Sequence, residues 1–168
     1  GYMMSTYYYL PTRNVFGAGS VEEVGALMDS LGGKRTMIVT DSFLATHPMT
    51  ARIQDILKQS GIESAVFGGA EPNPKDTNVE AGLVFYQTHD CDSMISLGGG
   101  SSHDCAKAIA IVATNGGKIQ NYEGVNKLHT DVPPLLAINT TAGTASEITR
   151  FCIITDTARK VKMCIIDW

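Results

Sequence analysis

The sequence predicts an α/β fold, a mostly parallel sheet with helices on both faces, preceded by a short N-terminal hairpin. Three observations predict it. Apolar periodicity switches repeatedly between the strand and helix patterns, and the switches fall at Gly, Pro, Asp or Ser. The strand-like runs are separated by helical stretches of about a dozen residues, the spacing of right-handed βαβ crossovers. With 168 residues, 43% apolar and 18% charged, and a mean hydropathy of +0.01, the chain has the composition of one buried core and not of a disordered segment.

Taken in order, Tyr7-Tyr8-Tyr9-Leu10 and Asn14-Val15-Phe16 flank Pro11-Thr12-Arg13 and read as the hairpin. Ser20 with Glu23 has capping-box spacing and opens a helix over Val21 to Leu31 that Gly32-Gly33 stops. Thr36 to Thr40 reads as a buried strand ending at Asp41, and a second helix starts near Pro48 with Met49, Ile53, Ile56 and Leu57 on one face. Strand Ser64 to Phe67, a loop from Gly68 to Pro74, helix Asp76 to Thr88 and strand Met94 to Leu97 follow. After Gly98-Gly99-Gly100, the stretch from Ser102 to Ala113 is apolar nearly all round and reads as a helix covered on most sides. A polar stretch from Thr114 to Asp131 leads to strand Leu135 to Ile138. Residues Ile148 to Ile154 and Val161 to Ile166 then alternate as a hairpin turned at Asp156 to Arg159.

No apolar run reaches the roughly 18 residues of a membrane span, and no basic region precedes an apolar one at the start, so a cytoplasmic protein is expected. Thirteen Lys+Arg against seventeen Asp+Glu give a net charge of −4 with no basic cluster, which points away from nucleic acid and membrane surfaces and toward small-molecule partners. Cys91, Cys105, Cys152 and Cys164 form no C-x-x-C pair and are expected as buried or half-buried free thiols. His47, His89, His103 and His129 fall at separate places in the predicted order and show no metal-ligand spacing. Gly1-Tyr2 ahead of Met3-Met4 reads as an addition, and an apolar strand running straight to Asp167-Trp168 reads as a chain that has been cut.

Two turns carry the chemistry. At Ser96 to Asp104 a strand runs into three glycines and then a helix start, where backbone can approach a ligand closely and free N–H groups favour phosphate oxygens. The spacing is neither G-x-x-x-x-G-K-[ST] nor G-x-G-x-x-G, so a tight structural turn stays open as the alternative. At Asn139 to Glu147 a strand end is followed by small hydroxyl residues able to grip a pyrophosphate or an amide, or else simply to cap a helix. Both lie at carboxyl ends of predicted parallel strands, where open α/β sheets place ligands. Gly17-Ala18-Gly19 imitates a dinucleotide fingerprint, but Glu22 sits where a pyrophosphate would be, and the segment reads as a loop with a helix cap. Asp41 either caps the next helix or accepts hydrogen bonds from ribose hydroxyls and repels a 2′-phosphate. Glu71-Pro72-Asn73-Pro74 is a rigid loop presenting an amide. His103 and Asp104 are expected to diverge at a helix start and not to form a catalytic dyad.

Glu71-Pro72-Asn73-Pro74-Lys75-Asp76-Thr77, Gly98-Gly99-Gly100-Ser101 with Asp104 and Lys107, and Asn139 to Glu147, in this order, resemble the iron-containing alcohol dehydrogenase family over Phe16 to Asp167. The likeness is strongest to its 1,3-propanediol, lactaldehyde and methanol dehydrogenase branch. The resemblance implies a Rossmann-like domain that binds NAD, in an enzyme interconverting a primary alcohol or diol and its aldehyde with a bound Fe²⁺ or another divalent metal polarising the oxygen.

Carried over by motif, Asp41 holds the adenosine ribose and Gly98, Gly99, Gly100, Ser101 and Ser102 the pyrophosphate, while Thr140, Thr141 and Thr144 line the phosphate and nicotinamide side. Asn73, Phe151 and Lys162 match positions in the same cleft, Lys162 near the ribose. The resemblance also implies a homo-oligomer and a helical C-terminal domain that holds the metal through one Asp and three His, a domain absent from this chain. Residues 1–168 are therefore expected to be the N-terminal dinucleotide-binding domain, with no catalytic and no metal residue of its own and no activity alone. Two alternatives stay open: a metal-free nucleotide-binding or assembly module, and the glycerol dehydrogenase or dehydroquinate synthase-like branch of the same architecture.

Overall fold

The structure, a computed structural model, describes residues 5–10, 13–17, 21–125, 127–140 and 151–166, with backbone alone for 5–10, 13–17 and Phe151. Its main sheet has six strands. β1 (Ser5–Leu10) and β2 (Arg13–Gly17) form the expected hairpin; β3 (Arg35–Val39), β4 (Glu63–Phe67), β5 (Ser93–Gly98) and β7 (Leu135–Asn139) are the parallel strands. Between the last two come a 3₁₀ turn at Ile119–Tyr122 and the short strand β6 (Gly124–Val125). The order is β2-β1-β7-β5-β3-β4, with β1 antiparallel to β7. A second, three-stranded sheet joins β6 to the hairpin β8 (Phe151–Asp156) and β9 (Val161–Ile166) in the order β6-β9-β8. The fold is a mostly parallel, Rossmann-like α/β sheet flanked by helices.

Strands β5 and β7 are buried along their whole length and β3 after its first residue, as interior strands covered on both faces must be. Their side chains divide with the period of two. Met37, Val39, Met94, Leu135 and Ala137 pack with residues of α4 (Asp76–Thr88) and α5 (Gly100–Asn115), among them Val79, Cys105, Ile109 and Val112. Ile38, Ile95, Leu97, Leu136 and Ile138 pack with α1 (Val24–Ser30) and α3 (Pro48–Gln59) through Val24, Met28, Ile53 and Leu57. In β9, Met163 and Ile165 turn inward and the intervening Cys164 outward. Cys164 is thus exposed, against the expectation of buried or half-buried thiols, whereas Cys105 and Cys152 are buried and Cys91 half-buried.

A four-residue helix, α2 (Ser42–Ala45), intervenes before α3, where the sequence suggested one helix. The connection leaving β3 through α2 and α3 runs over one face of the sheet, and α5, leaving the neighbouring strand β5, runs over the other. The carboxyl ends of β3 and β5 therefore open a crevice at the switch in winding direction, the usual ligand position in such sheets.

Candidate functional site

On the β3 side of the crevice, Asp41 adopts extended backbone and its Oδ1 accepts the Leu44 N–H at 2.7 Å, capping α2. The long helix α3 has its own cap, the Nδ1 of His47 accepting the Met49 N–H at 3.1 Å. Asp41 thus uses one carboxylate oxygen to cap a short helix. Leu44 of that helix would lie 3.6 Å from a Cβ placed on Gly98, so α2 borders the glycine turn directly.

On the β5 side, Gly98 takes φ +136°, a region that L side chains rarely enter, and a Cβ there would also meet the Ser102 hydroxyl at 2.7 Å. Ser102 is buried beneath the turn. Gly99 is the N-cap residue of α5 and supplies no side chain to the free N–H groups of the first turn, and a Cβ on Gly100 would point into open space. The result, among the described residues, is a helix N-terminus whose N-cap residue makes no side-chain cap and which has room in front of its donors, a geometry that suits an anion. Thr140, at the end of β7, donates its N–H to the Gly98 carbonyl at 3.1 Å, which ties the second small-residue turn to the first.

Next to this turn is a groove of about 210 Å³. The Glu71 to Pro74 loop contributes Asn73 and Pro74; α5 contributes Ser101 and Asp104; the β8–β9 hairpin contributes Ile153, Thr155 and Lys162. Asn73 sits at φ +53°, a conformation Asn tolerates better than most residues. Glu71 holds the base of this loop through the Asn78 amide at 3.0 Å and Lys75 at 3.6 Å, and these two contacts lower its pKa, the hydrogen bond contributing most. Lys162 stands opposite Thr155 in the hairpin register and is exposed.

Asp104 brings a carboxylate into the groove. Burial pushes its pKa up, against Lys107, whose Nζ is 3.9 Å away, and the Ile153 N–H that it accepts at 3.2 Å. Burial likewise lowers the Lys107 ammonium. His103 turns the other way, into the protein, so the two neighbours diverge as the helical spacing required.

Of the residues singled out in the sequence, Asn73, Ser101 and Lys162 come together in the groove. Gly98, Gly99, Gly100, Ser102, Asp41 and Thr140 gather at the adjoining strand ends. Thr141 and Thr144 lie outside the described residues, as do Ala18, Gly19 and Ser20, and the Phe151 side chain is not described. Glu22, by contrast, is described, and its carboxylate pairs with Arg52. Pro74, Asp104, Ile153 and Thr155 also line the groove and were not expected as cofactor contacts; strand alternation puts Ile153 and Thr155 on one face, but which face meets the Asn73 loop is a matter of tertiary packing. Among the described residues no group of three or more His, Cys, Asp or Glu is placed to hold a metal ion, and no helix is long and apolar enough to cross a membrane.

The family model described as iron-containing alcohol dehydrogenase matches residues 11–168. The chain is 46% identical over 162 residues to the NAD-dependent methanol dehydrogenase of Bacillus methanolicus, covering 96% of this chain and 42% of that protein. A crystal structure of 1,3-propanediol oxidoreductase superposes with a TM-score of 0.86 at 45% identity, over 96% of this chain and 42% of the other. A sulfoacetaldehyde reductase from Bifidobacterium kashiwanohense, solved in complex with NAD⁺, matches with a TM-score of 0.80 at 30% identity, over 90% of this chain and 40% of the other. The chain therefore spans about two fifths of the length of these relatives.

Proposed function

The chain belongs to the iron-containing alcohol dehydrogenase family, and from that premise we propose that it is the NAD-binding domain of an enzyme interconverting a primary alcohol or diol and its aldehyde by hydride transfer. The observation that carries the reading is the juxtaposition of an α5 N-terminus without a side-chain cap and a groove holding Asn73, Ser101 and Lys162, at the switch crevice of the sheet.

NAD, when bound, supplies the carbon that accepts or returns the hydride. The first-turn N–H groups of α5 and the Ser101 hydroxyl bind its pyrophosphate, with the backbone close because Gly100 carries no Cβ. Lys162 adds a cation and Asn73 an amide from the two sides of the groove. The second Asp41 oxygen accepts from the adenosine ribose hydroxyls and repels a 2′-phosphate. Thr140, Thr141, Thr144 and Phe151 complete the nicotinamide side on the strength of the motif alone. Among the described residues no group of three or more His, Cys, Asp or Glu is placed to hold a metal ion, and the chain spans 42% of the methanol dehydrogenase it matches; on this reading the ligands for Fe²⁺ or another divalent ion, and the other half of the cleft, lie in the remainder of a longer protein. The 168 residues by themselves bind cofactor without turnover.

Titration with NADH and NADPH, followed by nicotinamide fluorescence, tests the reading. Saturable NADH binding with NADPH at least tenfold weaker supports it; no saturable binding of either overturns it.

A further inference from the structure

The hairpin that carries Lys162 belongs to a sheet sharing no strand with the main one. Its buried residues Cys152, Ile154, Met163 and Ile165 pack in the same core cluster as α5. Strand register therefore does not set how far Lys162 stands from the Asn73 loop; packing on α5 and the Ile153 N–H bond to Asp104 seat the hairpin, and cross-links between hairpin and loop fix its distance from that loop. One is a single bridge, the Thr155 N–H donating to the Pro74 carbonyl at 2.8 Å. The other is Asp76, at the first residue of α4 and 6% exposed. Its Oδ1 accepts the Thr157 hydroxyl at 2.9 Å and the Thr157 N–H at 3.3 Å, besides the Thr77 N–H at 3.0 Å; its Oδ2 accepts the Gln120 amide at 2.8 Å. One carboxylate thus joins the helix that follows the Asn73 loop, the 3₁₀ turn of Gln120 and the bend of the hairpin.

Gln120 shows that the acceptor character of this group matters. A carboxylate takes only donors, so Gln120 must present its NH₂, and its Oε1 is left buried without a hydrogen-bond partner. That unmet acceptor is the cost of placing an acceptor at position 76 with enough oxygens for Thr157 and Gln120 together.

We propose that Asp76 is a positioning residue: it fastens the β8–β9 hairpin to the Asn73 loop and so holds Lys162 and Thr155 at a set distance from Asn73 across the groove. That the groove so gauged accepts a cofactor phosphate rests on the function proposed above. The role is specific to an oxygen acceptor at this place. Asn retains one oxygen for Thr157 and, with Gln120 flipped, donates its NH₂ to the Oε1 now unpartnered, so Asp76→Asn keeps the link and Asp76→Ala removes it.

The experiment uses the 168-residue chain in two arms. Amide hydrogen exchange at Thr155 and Thr157 reads the link without any ligand: at least tenfold faster in Asp76→Ala and close to wild type in Asp76→Asn is expected, and unchanged exchange in Asp76→Ala overturns the proposal. NADH titration reads its consequence. Asp76→Ala weakens binding about tenfold, equivalent to about 1.4 kcal/mol, Asp76→Asn restores it to within about twofold, and in a Lys162→Ala background Asp76→Ala adds little, because it acts through Lys162. An equal loss in both backgrounds overturns the proposal. Should Asp76→Ala not fold, Thr157→Val, at an exposed position, removes the hydroxyl donor alone and is read in the same two ways. A wild-type chain that does not bind NADH refutes the proposed function, and the exchange arm still decides whether Asp76 holds the hairpin.

Discussion

Ser96 and His103 meet beneath the glycine turn, Oγ to Nδ1 at 2.6 Å. The contact ties strand β5 to the first turn of α5 on the inner side, while the His103 N–H donates to the Gly99 carbonyl at 3.2 Å. His103 is 7% exposed and its Nε2 has no hydrogen-bond partner. Burial, with a smaller contribution from Lys107, lowers its pKa to about 4, so the ring is neutral and supports the turn from within.

A stability change with pH follows from that shift. The folded state holds the His103 pKa below the unfolded value of about 6.5, so the unfolded state takes up the proton first as pH falls. The native state is unpenalised above about pH 6.5 and loses stability as pH drops toward 4, about 2 kcal/mol of it between pH 7 and pH 5. His103→Gln, which cannot titrate, is expected to remove this loss. Urea unfolding of both proteins at pH 7 and pH 5 checks it, and equal pH dependence in the two would contradict the assignment.

The three glycines of the turn are not equivalent. Gly98→Ala meets both a positive φ and the Ser102 hydroxyl, so it should lower the melting temperature. Gly100→Ala places a methyl in open space on the first turn of a helix and should leave stability unchanged or raise it by up to about 1 kcal/mol. If cofactor occupies that space, the same variant weakens NADH binding by more than tenfold. Thermal melts alongside NADH titration separate the two roles.

Asp41→Gly removes a helix cap and, on our reading, a ribose ligand. Gly at an N-cap costs only a few tenths of a kcal/mol, so the variant should fold as the wild type does. Its NADH affinity should fall and its discrimination against NADPH should narrow at least fivefold. Unchanged discrimination would remove Asp41 from the ribose site.

The chain alone is expected to hold no stoichiometric metal and to oxidise no alcohol. His47 caps the N-terminus of α3, His89 follows the C-terminus of α4, His103 is buried at the start of α5, and His129 lies in the loop before β7. Elemental analysis after dialysis against Fe²⁺ or Zn²⁺, with an NADH-formation assay on 1,3-propanediol, measures both. One tightly bound metal per chain, or turnover abolished by a chelator, would show a site in these residues.

The parts legible in the sequence are those governed by local pattern. Helix α4 begins at Asp76 and ends at Thr88, as its apolar spacing indicated, and the parallel strands agree to within a residue or two. Helix α2 was not legible, because four residues carry no periodicity and Asp41 is as good a cap for one helix as for another. The addition of β1 to β7 and the pairing of the two-residue β6 with β9 are long-range choices that no local signal specifies. The same division holds at the site. Motif and strand-end position singled out Asn73, Ser101 and Lys162, which line one groove, whereas Thr155 and the Asp76 link depend on how the hairpin packs against the Asn73 loop.

On our reading NAD occupies the α5 N-terminus and the adjoining groove. Titrating NADH into isotope-labelled protein and following the backbone amide resonances tests it residue by residue. The largest shifts are expected on Gly99, Gly100 and Ser101, with smaller ones on Asn73, Thr155 and Lys162. Saturating shifts centred elsewhere, or none at the glycine turn at NADH concentrations that saturate the fluorescence change, would contradict it.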